Sequence, residues 1–500
     1  MFEDSINKLK SSLESGCMKK KNIRRAFLPL LWISAVIVLV SPCVPHSLII
    51  WTGALSHAAT LPIFYVDARG KGGKEIGNAL GDSVKARLPD IEQKMDAYLT
   101  QFIGQIAYQT GYPSQYLFNY YAVPRVNAIK PNIEQRYKDE VNALCSHFVL
   151  SDTDMLGDGY LSLNELWALQ LITDIARETN CSGFGVFGDY SALGSPIVGR
   201  NLDWNTTADL RSLQAITVYI YENRALVNIG FAGFVGVITG FNSNGLFAGI
   251  LDSPTGGVYP DPPTDKGSYV FDVRNALETR TKISEAAILL YNKQYAFSHN
   301  ILFADTTDVQ VLEHPQGLNG QLRTAESQLN FDISWGKSKQ IAVVNFFALP
   351  GYGNERYSYN IERWDRFREL ANFSINNKAI VNDIESIMLD TANSFPIFNS
   401  DTVQSVVFTP ADKKLYMYAK GIHTPTVMEE ILISDDVDDD GLPDNWEINY
   451  FGDLSHKGTT DDDGDGYANL VEYKRGTDPT DPNSYPSKSM PWIPLLLLDD

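Results

Sequence analysis

The stretch from residue 180 to residue 204 divides the chain into two textures, and any fold must be built around that divide. Asn180-Cys181-Ser182-Gly183-Phe184-Gly185 and Gly199-Arg200-Asn201-Leu202-Asp203-Trp204 read as the two strands of one hairpin. Such a ribbon puts a thiol, an arginine and a carboxylate side by side.

Upstream, residues 60–180 read as mainly helical, with Ile91, Met95, Tyr98, Leu99, Phe102 and Ile103 at helical spacing. Glycines at 70, 72, 73, 77 and 81 are spaced for close backbone approach around a helix start. Downstream the runs 215–221, 225–231 and 246–251 are short and β-rich, separated by Gly and Asn turns. Helical patterning returns at 268–295 and 361–375, and 300–312, 340–346 and 403–418 read as further strands. Sheets layered with helices, an α+β class, fit this order.

The chain carries 61 acidic and 41 basic residues, a formal charge of −20. The excess is concentrated in 435–481, where 15 acidic residues meet 3 basic ones. No basic face is present to release counterions from a duplex, so nucleic acid is excluded as an expected partner. At the other end, basic residues within 18–25 precede an apolar stretch over 26–55, and Ser56-His57-Ala58 offers a small-x-small cleavage site. Residues 1–58 therefore read as an export signal, with Met18 as an alternative start and a membrane anchor as the competing reading. Pro42 and Pro45 interrupt the helix an anchor would need, and Pro42 ahead of Cys43 fits lipidation poorly. Removal of the signal leaves Cys145 and Cys181, which are expected to be free thiols rather than a bridge.

A free thiol has a pKa near ~8.5 and is mostly protonated at neutral pH, so Cys181 needs a base or a cation. If the Asn180–Cys181 peptide bond is cut, the new α-amine, with a pKa of ~7.7–8, sits on the nucleophile's own residue. Arg200 can stabilise the thiolate or a substrate carboxylate, and Asp203 can orient the amine. The bland alternative is an Arg200–Asp203 ion pair beside an inert cysteine.

These residues resemble the cysteine N-terminal nucleophile (Ntn) hydrolases, the group of bile-salt hydrolase, penicillin V acylase, acid ceramidase and isopenicillin N acyltransferase. The likeness runs from about residue 68 to about residue 420. Gly240-Phe241-Asn242-Ser243-Asn244-Gly245-Leu246 and Leu251-Asp252-Ser253-Pro254 are similar to the family's turn and strand that bring a polar side chain to substrate, placing Asp252 there. Val344-Asn345-Phe346 resembles the segment whose Asn donates to an oxyanion, and Asn360-Ile361-Glu362-Arg363 the segment carrying a late arginine, for which Arg366 competes. The chain departs from many relatives in having Ser182, not Thr, after the cysteine. The resemblance implies a four-layer αββα sandwich, an α-rich leader over 60–180 and a catalytic part over 181–430. It implies self-cleavage before Cys181, chains that stay associated as a heterodimer, and hydrolysis of a small N-acyl amide through an acyl-thioester. Cys181, Arg200, Asp203, Asp252, Asn345 and Arg363 are its site residues, with no cofactor for catalysis. Acyl transfer by the same site, a Cys–His peptidase using His299 or His314, and a calcium-dependent surface-binding protein with an inactive domain are the alternatives.

Near the C-terminus, Asp436, Asp438, Asp440, Leu442, Asp444 and Glu447 occupy positions 1, 3, 5, 7, 9 and 12 of a calcium loop, with Gly441 at the turn. Asp461, Asp463, Asp465, Tyr467, Asn469 and Glu472, with Gly466, repeat that spacing. Residues 435–482 are therefore expected to hold structural Ca2+ and to resemble EF-hand-like and thrombospondin type 3 repeats of exported proteins, acting as a stalk or an adaptor to an envelope partner. A degenerate third loop, running from Asp152 to Glu165, reads either as a calcium site or as a helix-capping turn. Residues 483–500 form a tail whose apolar run, 493–498, is too short to span a membrane.

Overall fold

A computed structural model describes residues 61–176, 180–204, 207–254, 263–352, 357–424, 427–433, 440–443, 446–447, 450–451 and 454–486. The expected signal, Asp436, Asp438, Asp444 and the apolar end of the tail lie outside the described residues.

The leader opens on strand β1 (Ile63–Asp67), followed by helices α1 (Gly73–Arg87), α2 (Ile91–Thr110), α3 (Gln135–Cys145) and α4 (Leu163–Gln170). Helix α2 buries the predicted stripe of Ile91, Met95, Tyr98, Leu99, Phe102 and Ile103, and ends on Gly111, which takes the left-handed conformation at φ +76°. The glycine spacing of α1 serves helix packing. A Cβ at Gly73 would overlap the Arg136 carbonyl, one at Gly77 the Glu140 carbonyl, and one at Gly81 the His147 ring. Only a glycine face lets α1 lie this close to α3.

Next come β2 (Ser182–Val186), β3 (Ile197–Asp203), β4 (Gln214–Tyr221), β5 (Arg224–Phe231), β6 (Thr239–Asn242) and β7 (Phe247–Asp252). Helices α5 (Tyr269–Thr279) and α6 (Ile283–Leu290) split the expected 268–295 helix in two. Strands β8 (His299–Ala304), β9 (Val309–His314), β10 (Gln321–Arg323) and β11 (Gln340–Val343) follow. The predicted 300–312 strand is thus a hairpin, because the Asp305 carboxylate accepts from the amides of Thr307 and Asp308 and folds the chain back. Helices α7 (Ser358–Leu370) and α8 (Val381–Met388) lead to β12 (Thr402–Thr409), β13 (Lys414–Ala419) and β14 (Glu429–Ile431), and α9 (Asn469–Arg475) closes the described elements.

The strands form two sheets, in the orders β1-β4-β5-β6-β7-β8-β9-β10 and β11-β2-β3-β12-β13-β14. Every pairing is antiparallel except β1 with β4, so a strand absent from the sequence reading of the leader edges the larger sheet. The sheets pack face to face: Phe408 of β12 stacks on Phe241 and Phe247 at ring separations of 4.1 and 5.8 Å. A Cβ at Gly183 would come within 2.5 Å of Leu302, so the alternating glycines of β2 allow that approach. Helix α8 covers β2, β3 and β12, whereas α5 covers β5, β6 and β7. The mixed α+β class and the two stacked sheets agree with the expectation. One apolar core joins leader residues such as Phe102 and Leu144 to both sheets. Each such fully buried side chain stabilises the fold by about 1.5–3 kcal/mol relative to exposure.

A buried ionic seam also fastens the leader. Arg274 of α5 binds Glu140 of α3 at 2.8 Å and Glu278 at 2.7 Å, and Arg136 reaches Glu278 at 2.7 Å. Cys145 and Cys181 are buried, and neither is in a disulfide among the described residues. Among the described residues no helix is long and apolar enough to cross a membrane.

Candidate active site

The β2–β3 hairpin sets the register that builds the site, with Ser182 opposite Asn201 and Gly183 opposite Arg200. Cys181, one residue before β2, therefore lies beside both Arg200 and Asp203. Its Sγ is 3.5 Å from Arg200 Nη2 and 3.9 Å from the Asp203 carbonyl. Arg200 is anchored by Thr239 Oγ1 at 2.7 Å and the Ile250 carbonyl at 2.6 Å, so its guanidinium faces the sulfur in a fixed pose.

Asp203 is buried and accepts from Thr402 Oγ1 at 2.7 Å, Asn399 Nδ2 at 2.9 Å and Arg363 Nη1 at 3.3 Å. Burial pushes its carboxyl up to about 6 against the opposing pull of Arg363, Thr402, Asn399 and Arg200. Burial likewise lowers both guanidinium groups from their ordinary value.

Helix α7 brings Arg363 to the peptide bond ahead of the cysteine. Its Nη1 donates to the Asn180 carbonyl and, at 3.3 Å, to the Cys181 carbonyl. Nη2 donates to Asn345 Oδ1 at 3.0 Å and Asn360 Oδ1 at 2.5 Å. Asn345 in turn donates from Nδ2 to the Asp252 carbonyl at 2.6 Å.

The structure thus gathers Cys181, Arg200, Asp203, Asn345 and Arg363, and Asp252 meets this network through its main-chain oxygen. Arg366 does not join it: one turn further along α7, it pairs with Asp390 at 2.6 Å and Glu369 at 2.7 Å. Sequence reasoning missed Asn360, Asn399, Thr402 and Thr239. Asn360 was legible as the residue one helical turn before Arg363, whereas Asn399 and Thr402 enter only because β12 pairs with β3 and sets Thr402 against Asp203.

The two histidines of the peptidase reading lie in an aromatic stack. His299 and His314 are parallel at 5.1 Å, edged by Tyr295. His299 Nδ1 is 3.1 Å from the Phe297 carbonyl, and its Nε2 has no hydrogen-bond partner among the described residues. Burial lowers the pair to about 3 and about 4, so both rings are neutral at neutral pH.

At the C-terminus, the carboxylates of Asp461, Asp463 and Asp465 lie within 4.8 Å of one another. Asp463 Oδ2, Asp465 Oδ2 and the Oε2 of buried Glu472 have no hydrogen-bond partner among the described residues. Burial, reinforced by Asp463 and Asp465, raises Glu472 to about 7. Unpaired carboxylate oxygens converging at positions 3, 5 and 12 fit a hard divalent cation. Asn469 Nδ2 donates to the Lys457 carbonyl and Thr460 Oγ1, both at 3.1 Å, and its Oδ1 has no hydrogen-bond partner among the described residues.

Residues 192–422, slightly less than half of the chain, match the family described as acyl-coenzyme A:6-aminopenicillanic acid acyl-transferase. That span includes Arg200, Asp203, Asn345 and Arg363 and begins after Cys181. No curated protein matches the chain. Similar solved structures include a Caenorhabditis elegans N-acylethanolamine-hydrolyzing acid amidase ortholog, at 18% identity and TM-score 0.36 over 47% of this chain and 96% of that one. The conjugated bile acid hydrolase of Clostridium perfringens aligns at 12% identity and TM-score 0.31, over 51% of this chain and 97% of the other. Penicillin V acylase from Agrobacterium tumefaciens aligns at 14% and 0.30, over 48% and 83%. Superposition at this level is too weak to transfer a residue's role.

Proposed function

We propose that the chain is an exported cysteine Ntn amidase that cuts itself between Asn180 and Cys181 and then hydrolyses a small N-acyl amide. One observation carries this reading: Arg363 binds the carbonyl of the peptide bond to be cut, while Arg200 faces the sulfur that would attack it.

In the uncut chain, Sγ adds to the Asn180 carbonyl carbon and Arg363 offsets the charge that develops on its oxygen. The C–N bond breaks, the Cys181 nitrogen leaves as a free amine, and a thioester links Asn180 to Sγ. Water cleaves the thioester, leaving an Asn180 carboxylate and a Cys181 with both thiol and α-amine. On substrate, the α-amine takes the thiol proton as sulfur attacks the amide carbon, then gives it to the departing amine. Water, deprotonated by the same amine, releases the acid and restores the thiol. In this reading the Asp203 carboxylate would hold that amine, and Asn345 would donate to the substrate oxyanion.

A cavity of about 40 Å³ lined by Met95, Tyr98, Trp204, Leu213, Phe231 and Phe234 starts one residue beyond Asp203. Its walls are apolar and shared between leader and body, and its size suits no more than a short apolar group, against roughly 300–1,000 Å³ for a typical ligand pocket. The paired strand β1 and the Arg274 seam support a leader that stays bound after the cut. The family match favours acyl transfer as the second reading, in which an amine takes the place of water in the last step. The Asp461–Glu472 loop would hold a structural Ca2+ through Asp461, Asp463, Asp465, the Tyr467 carbonyl, Asn469 and Glu472, and the loop expected over 436–447 would hold another through ligands that include Asp440, Leu442 and Glu447.

Intact-mass and N-terminal analysis of purified full-length protein is expected to find a chain beginning at Cys181. The Cys181→Ala variant is expected to remain uncut and inactive on N-acyl amides. A processed, active alanine variant would overturn the assignment.

A further inference from the structure

The leader contains a loop that the proposed chemistry does not use. Asp154 to Glu165 can be aligned position by position with the C-terminal loop from Asp461 to Glu472. At position 5 the two agree: Asp465 Oδ1 accepts from the Tyr467 amide at 2.8 Å, and Asp158 Oδ1 from the Tyr160 amide at 2.9 Å. At position 1 of the C-terminal loop, the two oxygens of Asp461 accept from the Gly464 and Gly466 amides at 2.8 and 2.9 Å. The equivalent leader amides, Gly157 and Gly159, also donate to the two oxygens of one aspartate, at 2.8 and 2.7 Å, but that aspartate is Asp96 of helix α2. Asp154, the loop's own first residue, turns aside to Asn164 at 2.8 Å.

Position 12 supplies an independent indication of a ligand. Glu165 is fully buried, and its Oε2 accepts from the Ser162 amide at 2.6 Å, but its Oε1 has no partner among the described residues. Glu472 shows the same half-satisfied state, with Oε1 taking Thr477 Oγ1 at 3.2 Å and Oε2 bare. A carboxylate oxygen sealed from water without a donor is unfavourable unless a cation meets it.

We propose that the leader loop binds one Ca2+ through Asp158, the Tyr160 carbonyl, Glu165 and Asp96, the last recruited from α2 in place of Asp154. Position 3 holds Leu156 where the C-terminal loop holds Asp463, so one charge is missing and binding is weaker than at a full loop. The ion ties α2 to the start of α4, ahead of the bond to be cut.

Calorimetric titration of chelator-treated full-length protein with calcium chloride tests this, in a background of Glu447→Gln and Glu472→Gln that disables the C-terminal loops. One equivalent is expected to bind, and Glu165→Gln or Asp96→Asn to weaken it by at least about tenfold. Leu156→Asp restores the missing charge and is expected to tighten binding by about tenfold, a gain that misfolding cannot imitate. Absence of binding in the background chain, or an affinity unmoved by Leu156→Asp, overturns the site and leaves a helix-capping turn.

Discussion

Two clusters of buried charge serve opposite ends in this molecule. At the seam between leader and body, Arg274 and Arg136 meet Glu140 and Glu278, so the charges balance. Although burial opposes it, Arg274 and Arg136 hold Glu278 below its ordinary value. At Cys181, Arg200 and Arg363 stand with one carboxylate, Asp203, which burial lifts to about 6. A balanced cluster fastens two pieces of structure. A surplus of buried positive charge is poised for an anion that forms during reaction, a thiolate or a tetrahedral oxygen.

The sharpest way to break the comparison is to unbalance the seam. Arg274→Met strands the buried Glu140 and leaves Glu278 with Arg136 alone, and is expected to lower unfolding free energy by about 3–5 kcal/mol, measured by urea titration. Adding Glu140→Leu should recover part of that loss. Processing of the molecules that do fold is expected to proceed at the parent rate.

The site should respond in the other currency. Arg363→Lys keeps a charge near Asp203 but loses the planar fork that reaches Asn180, Asn345 and Asn360 together. The appearance of cut chains is expected to slow by about 10²–10³, as for loss of one oxyanion donor, with a much smaller change in the unfolding midpoint. Equal loss of stability with unaltered processing would make the two clusters alike and remove the contrast.

Acidity separates them again. Protonating Asp203 removes the carboxylate that holds Arg363 Nη1 beside the Asn180 carbonyl, so processing is expected to fall about tenfold per pH unit below about 6, the slope of a single proton. Stability runs the opposite way for this group. Its folded value lies above its unfolded 3.8, so its contribution is fully present below pH 3.8 and is lost as pH rises through about 6. A time course of cleavage and a melting series across pH 4–7 would show both slopes.

What the sequence disclosed follows from how local each feature is. The hairpin with Cys181, Arg200 and Asp203 was legible because strand register alone brings those residues together. The α2 stripe was legible because helical period is written in adjacent turns. Strand β1 was not, since its pairing with β4 spans the whole leader and leaves only five residues of local signal. The glycines of α1 announced a close approach, but their partner α3 lies about sixty residues downstream and is joined through packing alone. Arg363 and Arg366 share one helix, and only the direction each faces separates the residue in the site from the surface ion pair. Asp96 was invisible as a loop partner because it belongs to a different element altogether.

The smallest expected effect asks whether neutral donors matter to the surplus. Asn399 reaches Asp203 from the turn before β12 and carries no charge, so Asn399→Ala leaves the balance of arginines and carboxylate unchanged. It removes one hydrogen bond to a buried carboxylate, a contribution of about 1.5–3 kcal/mol when the acceptor is ionised. The ionised form loses more than the neutral one, so Asp203 rises further and the acid limb of processing moves to higher pH, by about one unit. The plateau rate above that limb should stay near the parent's, because Arg363 still holds the Asn180 carbonyl. A lowered plateau with an unmoved limb would mean that Asn399 acts by placing the strand rather than by tuning the carboxylate, and the surplus of charge would then depend on Arg200 and Arg363 alone.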